Sequence, residues 1–247
     1  MNPIRIAMWS GPRNISTAMM RAFENRPDTY VIDEPFYAAY LTATGLDHPM
    51  RGEILQSQPT DWREVERQLL GAIPNGKPIF YQKHMTHHML PGIGRAWAAC
   101  CRNAFLIRNP CAVLQSYRAR RGEVALADIG IVQQAGIFHE LTRNTGTAPP
   151  VIDAADVLAN PAAALTELCG ALQIPFTPAM LHWPEGKRAT DGVWAPAWYE
   201  SVERSTGFAP PTAPVAPEDL SRELREIAYA ARSYYEILAA HKITPGP

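Results

Sequence analysis

The segment Ser10-Gly11-Pro12-Arg13-Asn14-Ile15-Ser16-Thr17 gathers residue types that hold an anion. Gly11 and Pro12 shape a turn. Arg13 carries a planar fork of donors with a fixed charge, and Ser16 and Thr17 supply hydroxyls. An apolar run precedes the segment and a helix-forming run follows it. The loop therefore opens a helix, where unpaired N–H groups and a positive dipole end attract phosphate. A plain helix cap by Ser10 or Asn14, with Arg13 in solvent, is the other reading. The loop lacks the second glycine and the lysine of G-x-x-x-x-G-K-S/T, which counts against ATP or GTP hydrolysis.

Three more groups have types suited to chemistry. Asn103–Ile107 is apolar and is followed by Arg108, Pro110 and, eight residues after the arginine, Ser116. Lys83-His84-Met85-Thr86-His87-His88 supplies histidines, whose ordinary pKa of about 6.5 suits general-base work at neutral pH. His84 and His87 are the candidates, while His88 reads as structural. Glu34, in Asp33-Glu34-Pro35-Phe36, can accept a proton or grip a cationic substrate, or else cap the next segment. The adjacent histidines have no third ligand at matching spacing, so no metal is expected.

The elements that must position these residues alternate between strand and helix. Strands are expected at Ile4–Trp9, Thr29–Ile32, Pro78–Gln82, Asn103–Ile107 and Val151-Ile152. Helices are expected at Ile15–Phe23, Trp62–Ala72, Cys111–Arg120, Ile129–Arg143, Asn160–Leu172 and Ser221–Ala240. Pro110 and Pro161 fall where a helix tolerates proline, and Asn160 reads as an N-cap. This order implies right-handed crossovers and a parallel sheet in one α/β domain spanning 1–247. Ligands then bind beyond the carboxyl ends of the strands, where the loops after the first four strands meet. Segments 42–61 and 177–217 read as loop or lid. Trp183, Trp194, Trp198 and Tyr199 read as packing, with an acceptor wall as the second reading.

The chain has 247 residues, 47% of them hydrophobic, enough for a sizeable core. With 23 Lys+Arg against 24 Asp+Glu, the balance suits neither a nucleic-acid binder nor a membrane-surface protein. An anion site must be built locally. Cys100, Cys101, Cys111 and Cys169 read as buried free thiols of a reducing compartment. No signal peptide and no long apolar run is seen, so a cytoplasmic location is expected.

Taken together, the two loop motifs resemble those of the sulfotransferases that use 3′-phosphoadenosine 5′-phosphosulfate. The first family motif, roughly P-K/R-S-G-T-T after strand one, is similar to Pro12-Arg13-Asn14-Ile15-Ser16-Thr17. Asn14-Ile15 replaces the small pair, and an arginine stands where lysine is commoner. The second, an apolar strand followed by R-x-P and a later serine, is similar to Arg108, Pro110 and Ser116. The run from Val151 through Asn160-Pro161 to Phe176 looks like the family's later strand and helix. Gly186-Lys187-Arg188 with Gly192-Val193-Trp194 is more loosely similar to its basic loop over the nucleotide. A sharper resemblance is to bacterial sulfotransferase-like proteins carrying S-G-P-R-N-x-S-T, D-E-P-F/L-Y and K-x-M-x-H-H.

The resemblance implies a three-layer α/β/α fold of the P-loop nucleoside triphosphate hydrolase type. It implies that Gly11 to Thr17 hold the 5′-phosphosulfate, with Arg13 at the bridging oxygen. Arg108 and Ser116 would hold the 3′-phosphate, and Lys187 and Arg188 would lie over the nucleotide. It also implies a base histidine after strand three and no metal. The expected reaction is sulfuryl transfer to a hydroxyl or amine of a small molecule. A kinase or NTPase of the same fold and a non-catalytic nucleotide binder remain the alternatives. A homodimer is compatible with the sequence.

Overall fold

Ile4–Ser10 forms strand β1 and buries both faces: Ile6 and Met8 enter one apolar layer, Ala7 and Trp9 the other. Such two-sided burial is what a strand inside a parallel sheet requires. The structure is a computed structural model and describes residues 3–121, 123–244 and 246.

The remaining strands are β2 (Thr29–Asp33), β3 (Ile79–Met85), β4 (Arg102–Ile107) and β5 (Val151–Asp153). They form one sheet of order β2-β3-β1-β4-β5, with every pair parallel. Helix α1 (Ser16–Glu24) leads away from β1 on one face. Its Met19, Met20 and Phe23 pack on Ile6, Met8 and Tyr81. Two short helices follow, α2 (Tyr37–Thr44) and α3 (Arg51–Ser57), and then α4 (Trp62–Leu70), which Asp61 caps by accepting from the Arg63 N–H at 2.9 Å. On the opposite face lie α5 (Pro110–Arg121) and α6 (Ile131–Thr145). Helices α7 (Ala154–Ala159) and α8 (Pro161–Ala171) follow β5, and α9 (Ala195–Trp198) and α10 (Glu200–Glu203) are single turns. The amphipathic α11 (Arg222–Ala239) covers α5 and α6 with Leu224, Ala228, Ala231 and Leu238. The result is the expected three-layer α/β/α arrangement.

Caps follow the local chemistry. Asn109 accepts from the Cys111 N–H at 2.8 Å where α5 begins, and Asn160 accepts from the Ala163 N–H at 3.1 Å for α8. The helix expected from Ile129 starts instead at Ile131, because Gly130 adopts a left-handed φ of 66°. A side chain there would meet Thr86 Oγ1 at 2.7 Å, so only glycine fits.

Two expectations need correction. Segment 42–61 is not all loop: α3 forms because Ile54 is buried against the apolar cluster around Tyr37, Leu41 and Trp194. Strand β3 also runs three residues beyond Gln82, so Lys83 and His84 lie in the sheet and point to opposite faces. Segment 177–217 contains the turns α9 and α10, and Trp183 and Trp194 are buried in the two neighbouring cores. All four cysteines are free, but of the thiols expected to be buried only Cys111 and Cys169 are; Cys100 is exposed and Cys101 half-buried. Among the described residues, no helix is long and apolar enough to cross a membrane.

Candidate active site

Because β1 and β4 are neighbours, the loops that leave them lie side by side. Arg13 Nε donates to Ser116 Oγ at 3.0 Å, and Arg108 Nη1 donates to the Arg13 carbonyl at 2.7 Å. The two motifs, about ninety residues apart in sequence, thus form one cluster at the carboxyl edge of the sheet. Arg108 is partly desolvated, which pulls its pKa down, and Asp153 at the end of β5 partly counters that.

The cradle loop holds a particular backbone. Arg13 (φ 61°) and Ile15 (φ 55°) both take left-handed conformations. Ile15 is the N-cap of α1 and supplies no side-chain cap, so the helix opens with N–H groups free of a capping side chain. Left-handed backbone at a β-branched residue is costly, and such strain collects at functional sites. Asn14 is buried and donates to the Leu106 carbonyl at 3.2 Å, fastening the loop to β4. Its Oδ1 has no hydrogen-bond partner among the described residues.

A cavity of about 310 Å³ joins this cluster to the end of β2 and β3. Pro12 to Ala18, Arg108 and Ser116 line one end. Glu34, Tyr37, His48, Lys83, His87, His88 and Tyr199 line the other. Gly11 does not line it. A Cβ on Gly11 would meet the Ile129 carbonyl at 2.3 Å, so this glycine serves backbone packing.

Behind the second end is a buried polar network. Asp33 and Lys83 are register partners on β2 and β3. Lys83 Nζ donates to Asp33 Oδ1 and Glu34 Oε1, each at 2.8 Å, and to the Tyr199 hydroxyl at 2.7 Å. Tyr199 donates to Asp33 Oδ2 at 2.6 Å and accepts from Trp194 Nε1 at 3.1 Å. The Gly192 N–H also reaches Asp33 Oδ2, at 3.2 Å. Burial alone would lower the lysine's pKa, but Asp33 and Glu34 outweigh it and hold the ammonium charged. Burial pushes the Glu34 pKa up; Lys83 pulls against that shift and Asp33 adds to it. Gln58 steadies the Asp33–Glu34 turn, where Glu34 has a φ of 40°, by donating to the Glu34 carbonyl at 3.1 Å.

The histidine candidates separate. His84 is enclosed between Trp9, at a ring distance of 4.6 Å, and Trp97, at 4.9 Å. Its Nε2 meets Gln82 Oε1 at 3.2 Å, and burial drives its pKa down to about 3. It does not line the cavity and is a core residue, not the base that its place beside Lys83 suggests. His87 is half-buried and lines the cavity, with Tyr40 edge-on at 5.4 Å. His88 is buried and stacked on Tyr37 at 4.6 Å, and burial followed by His87 lowers its pKa well below the usual histidine range.

Lys187 and Arg188 do not reach the cavity. Lys187 is exposed. Arg188 lies 3.7 Å from Glu24 at the far end of α1, and its N–H donates to Asp191 Oδ2 at 2.8 Å. Asp191 in turn takes the buried Arg21 at 2.8 Å, so this basic loop is anchored to the helix rather than arched over the site. The site also takes in Lys83, Asp33, Tyr37 and His48, to which no local sequence pattern assigns a role, and Tyr199, expected as packing or an acceptor wall, joins its buried network. His48 and Tyr37 share a hydrogen bond of 2.8 Å. Among the described residues, no three His, Cys, Asp or Glu side chains are grouped as a metal ion would need.

A parallel sheet between helical layers, with two arginine-bearing loops at its carboxyl edge, defines a three-layer α/β protein. The chain belongs to the sulfotransferase domain family, whose model matches residues 4–242. It is 35% identical over 99% of its length to branched-chain-amino-acid aminotransferase-like protein 1 of Arabidopsis thaliana, and spans 44% of that protein. The chain therefore covers less than half of this curated relative. The fold is shared with the sulfotransferase domain of the Synechococcus PCC 7002 olefin synthase, at a TM-score of 0.55 and 18% identity, over 93% of this chain and 94% of that one. It is shared also with the sulfotransferase of Alicyclobacillus acidocaldarius, at a TM-score of 0.57 and 13% identity, over 99% and 98%.

Proposed function

We propose that the chain transfers a sulfuryl group from 3′-phosphoadenosine 5′-phosphosulfate to a hydroxyl or amine of a small molecule. The carrying observation is the convergence of Arg13, Arg108 and Ser116 beside the uncapped start of α1. A helix N-terminus and two guanidinium groups suit a doubly phosphorylated nucleotide.

In this reading the N–H groups and hydroxyls of Ser16 and Thr17 hold the 5′ end, and Arg108 and Ser116 hold the 3′-phosphate. Arg13 stabilises the charge that collects on the bridging oxygen as the bond to sulfur breaks. The acceptor oxygen or nitrogen forms the new bond to sulfur, and the bisphosphate leaves with the electron pair. His87 takes the acceptor's proton, being the histidine of the Lys83–His88 segment that lines the cavity and is only half-buried.

Schiff-base chemistry, which the relative's aminotransferase-like name suggests, does not fit this cavity. A Schiff-base lysine needs a depressed pKa. Lys83, the lysine at this cavity, is held charged by two carboxylates.

The test is turnover: release of 3′,5′-bisphosphate together with a sulfated product from a panel of small alcohols and amines. His87→Ala should cut that rate by about 10²–10⁴ while bisphosphate binding persists. Bisphosphate binding without turnover of any acceptor would favour a non-catalytic nucleotide binder.

A further inference from the structure

We infer that the acceptor is a small organic cation, a hydroxylated alkylammonium, whose positive nitrogen sits against Glu34. This deepens the sulfuryl-transfer reading and rests on it.

The inner end of the cavity brings together two carboxylates, Asp33 and Glu34, and one ammonium, Lys83, all buried. The third partner of Lys83, the Tyr199 hydroxyl, is kept protonated by burial and by Asp33. His84 and His88 are held neutral by burial. By formal charge, two carboxylates against one ammonium leave one negative charge over; burial raises the Glu34 pKa, so a cation bound beside it would hold that carboxylate ionised. Of the two carboxylates, Asp33 is enclosed by Lys83, Tyr199 and the Gly192 N–H. Glu34 is the one that lines the cavity. Its Oε1 takes Lys83, and its Oε2 lies 4.0 Å from His88 Nε2, beyond hydrogen-bond distance.

The other charged groups at the cavity point the same way. Arg13 and Arg108 lie at the opposite end, where an anionic nucleotide would more than neutralise them. With that nucleotide bound, the acceptor meets negative charge from both sides, so an anionic acceptor is repelled and a cationic one is drawn in. His48 and His87 are the remaining titratable groups there, each packed against Tyr40. The cavity that Glu34 faces also has aromatic walls, from Tyr37, His88, Trp198 and Tyr199. Aromatic walls around a carboxylate recognise alkylammonium groups, because ring quadrupoles attract a cation that hydrates weakly.

The chemistry balances as before. The acceptor oxygen bonds to sulfur, the bisphosphate leaves with the electron pair, and the hydroxyl proton passes to His87. Glu34 keeps its charge throughout and holds the nitrogen, so the product is a zwitterionic sulfate ester.

The test uses the whole chain saturated with 3′,5′-bisphosphate and titrates three probes by calorimetry: choline, its neutral isostere 3,3-dimethyl-1-butanol, and the anion glycolate. Choline should bind at least about tenfold more tightly than the isostere, and glycolate should not bind. Glu34→Gln should erase the preference for choline. Equal or tighter binding of the isostere, binding of glycolate, or no binding of choline would overturn the inference. The comparison stands on the unaltered protein, so a poorly folded variant does not decide it. Failure to bind the bisphosphate itself would instead remove the sulfuryl-transfer reading.

Discussion

Arg13 and Ser116, separated by 103 residues, are joined by a hydrogen bond of 3.0 Å. The bond exists because β1 and β4 are neighbours, so the loop after one meets the helix after the other. Arg108 completes the cluster through the Arg13 carbonyl. Removing a charged donor should therefore cost more than removing a hydroxyl. Arg108→Ala is expected to weaken bisphosphate binding by about 1.5–3 kcal/mol, and Ser116→Ala by about 0.5–1.5 kcal/mol. Calorimetric titration of each variant checks the order, and a larger loss in the serine variant would contradict it.

Among the described residues, Lys83 is the one cation paired with two buried carboxylates, at 2.8 Å each. Lys83→Met leaves both unpaired in the interior, and the expected loss of folding stability is about 3–5 kcal/mol. Urea unfolding measures it. Removing the exposed Arg222–Glu226 pair should cost no more than about 0.5 kcal/mol. Similar losses at the two places would show that the buried network is not a stabilising element.

His84 makes stability depend on pH. Its folded pKa of about 3 lies below the value near 6.5 of an unfolded histidine. Below about pH 6.5 the unfolded chain binds a proton that the folded chain refuses, so acid favours unfolding. Stability should fall by up to about 1.4 kcal/mol per pH unit for this residue as pH drops through that window, with no contribution above pH ~7. His88 acts in the same direction. Urea midpoints across pH for His84→Gln should show a shallower acid slope than the unaltered chain. An unchanged slope would mean that His84 takes up its proton while folded.

Ile15 holds a left-handed φ of 55° without being glycine. The penalty for a side chain there is about 1–2 kcal/mol. Ile15→Gly should therefore be more stable than Ile15→Ala by about 1 kcal/mol, the reverse of the usual helical order. Denaturant unfolding of the two variants compares them directly, and alanine as the more stable one would argue that the loop relaxes.

The cradle and the second arginine were legible because each is a local event. A strand ends, a loop carries polar residues, and a helix begins at once, so spacing alone places Arg13, Ser16 and Arg108. The Asp33–Lys83 pair was not legible in this way. Its partners are register neighbours only once β2 is known to lie beside β3, and no local pattern states strand order. His84 misled for a related reason. Ending β3 at Gln82 put it in the loop, whereas strand alternation turns it into the Trp9 layer. Lys187 and Arg188 read as a basic loop, yet Glu24 and Asp191 take Arg188 at the far end of α1. Segment 51–57 reads as polar loop in sequence, and one buried residue, Ile54, is enough to seat α3.

Both arginine-bearing loops should grip one doubly phosphorylated adenosine at once. Calorimetry compares 3′-phosphoadenosine 5′-phosphate with 5′-phosphoadenosine alone. Removing the 3′-phosphate should weaken binding strongly in the unaltered chain but little in Arg108→Ala. Equal binding of the two nucleotides by the unaltered chain, or of neither, would contradict it.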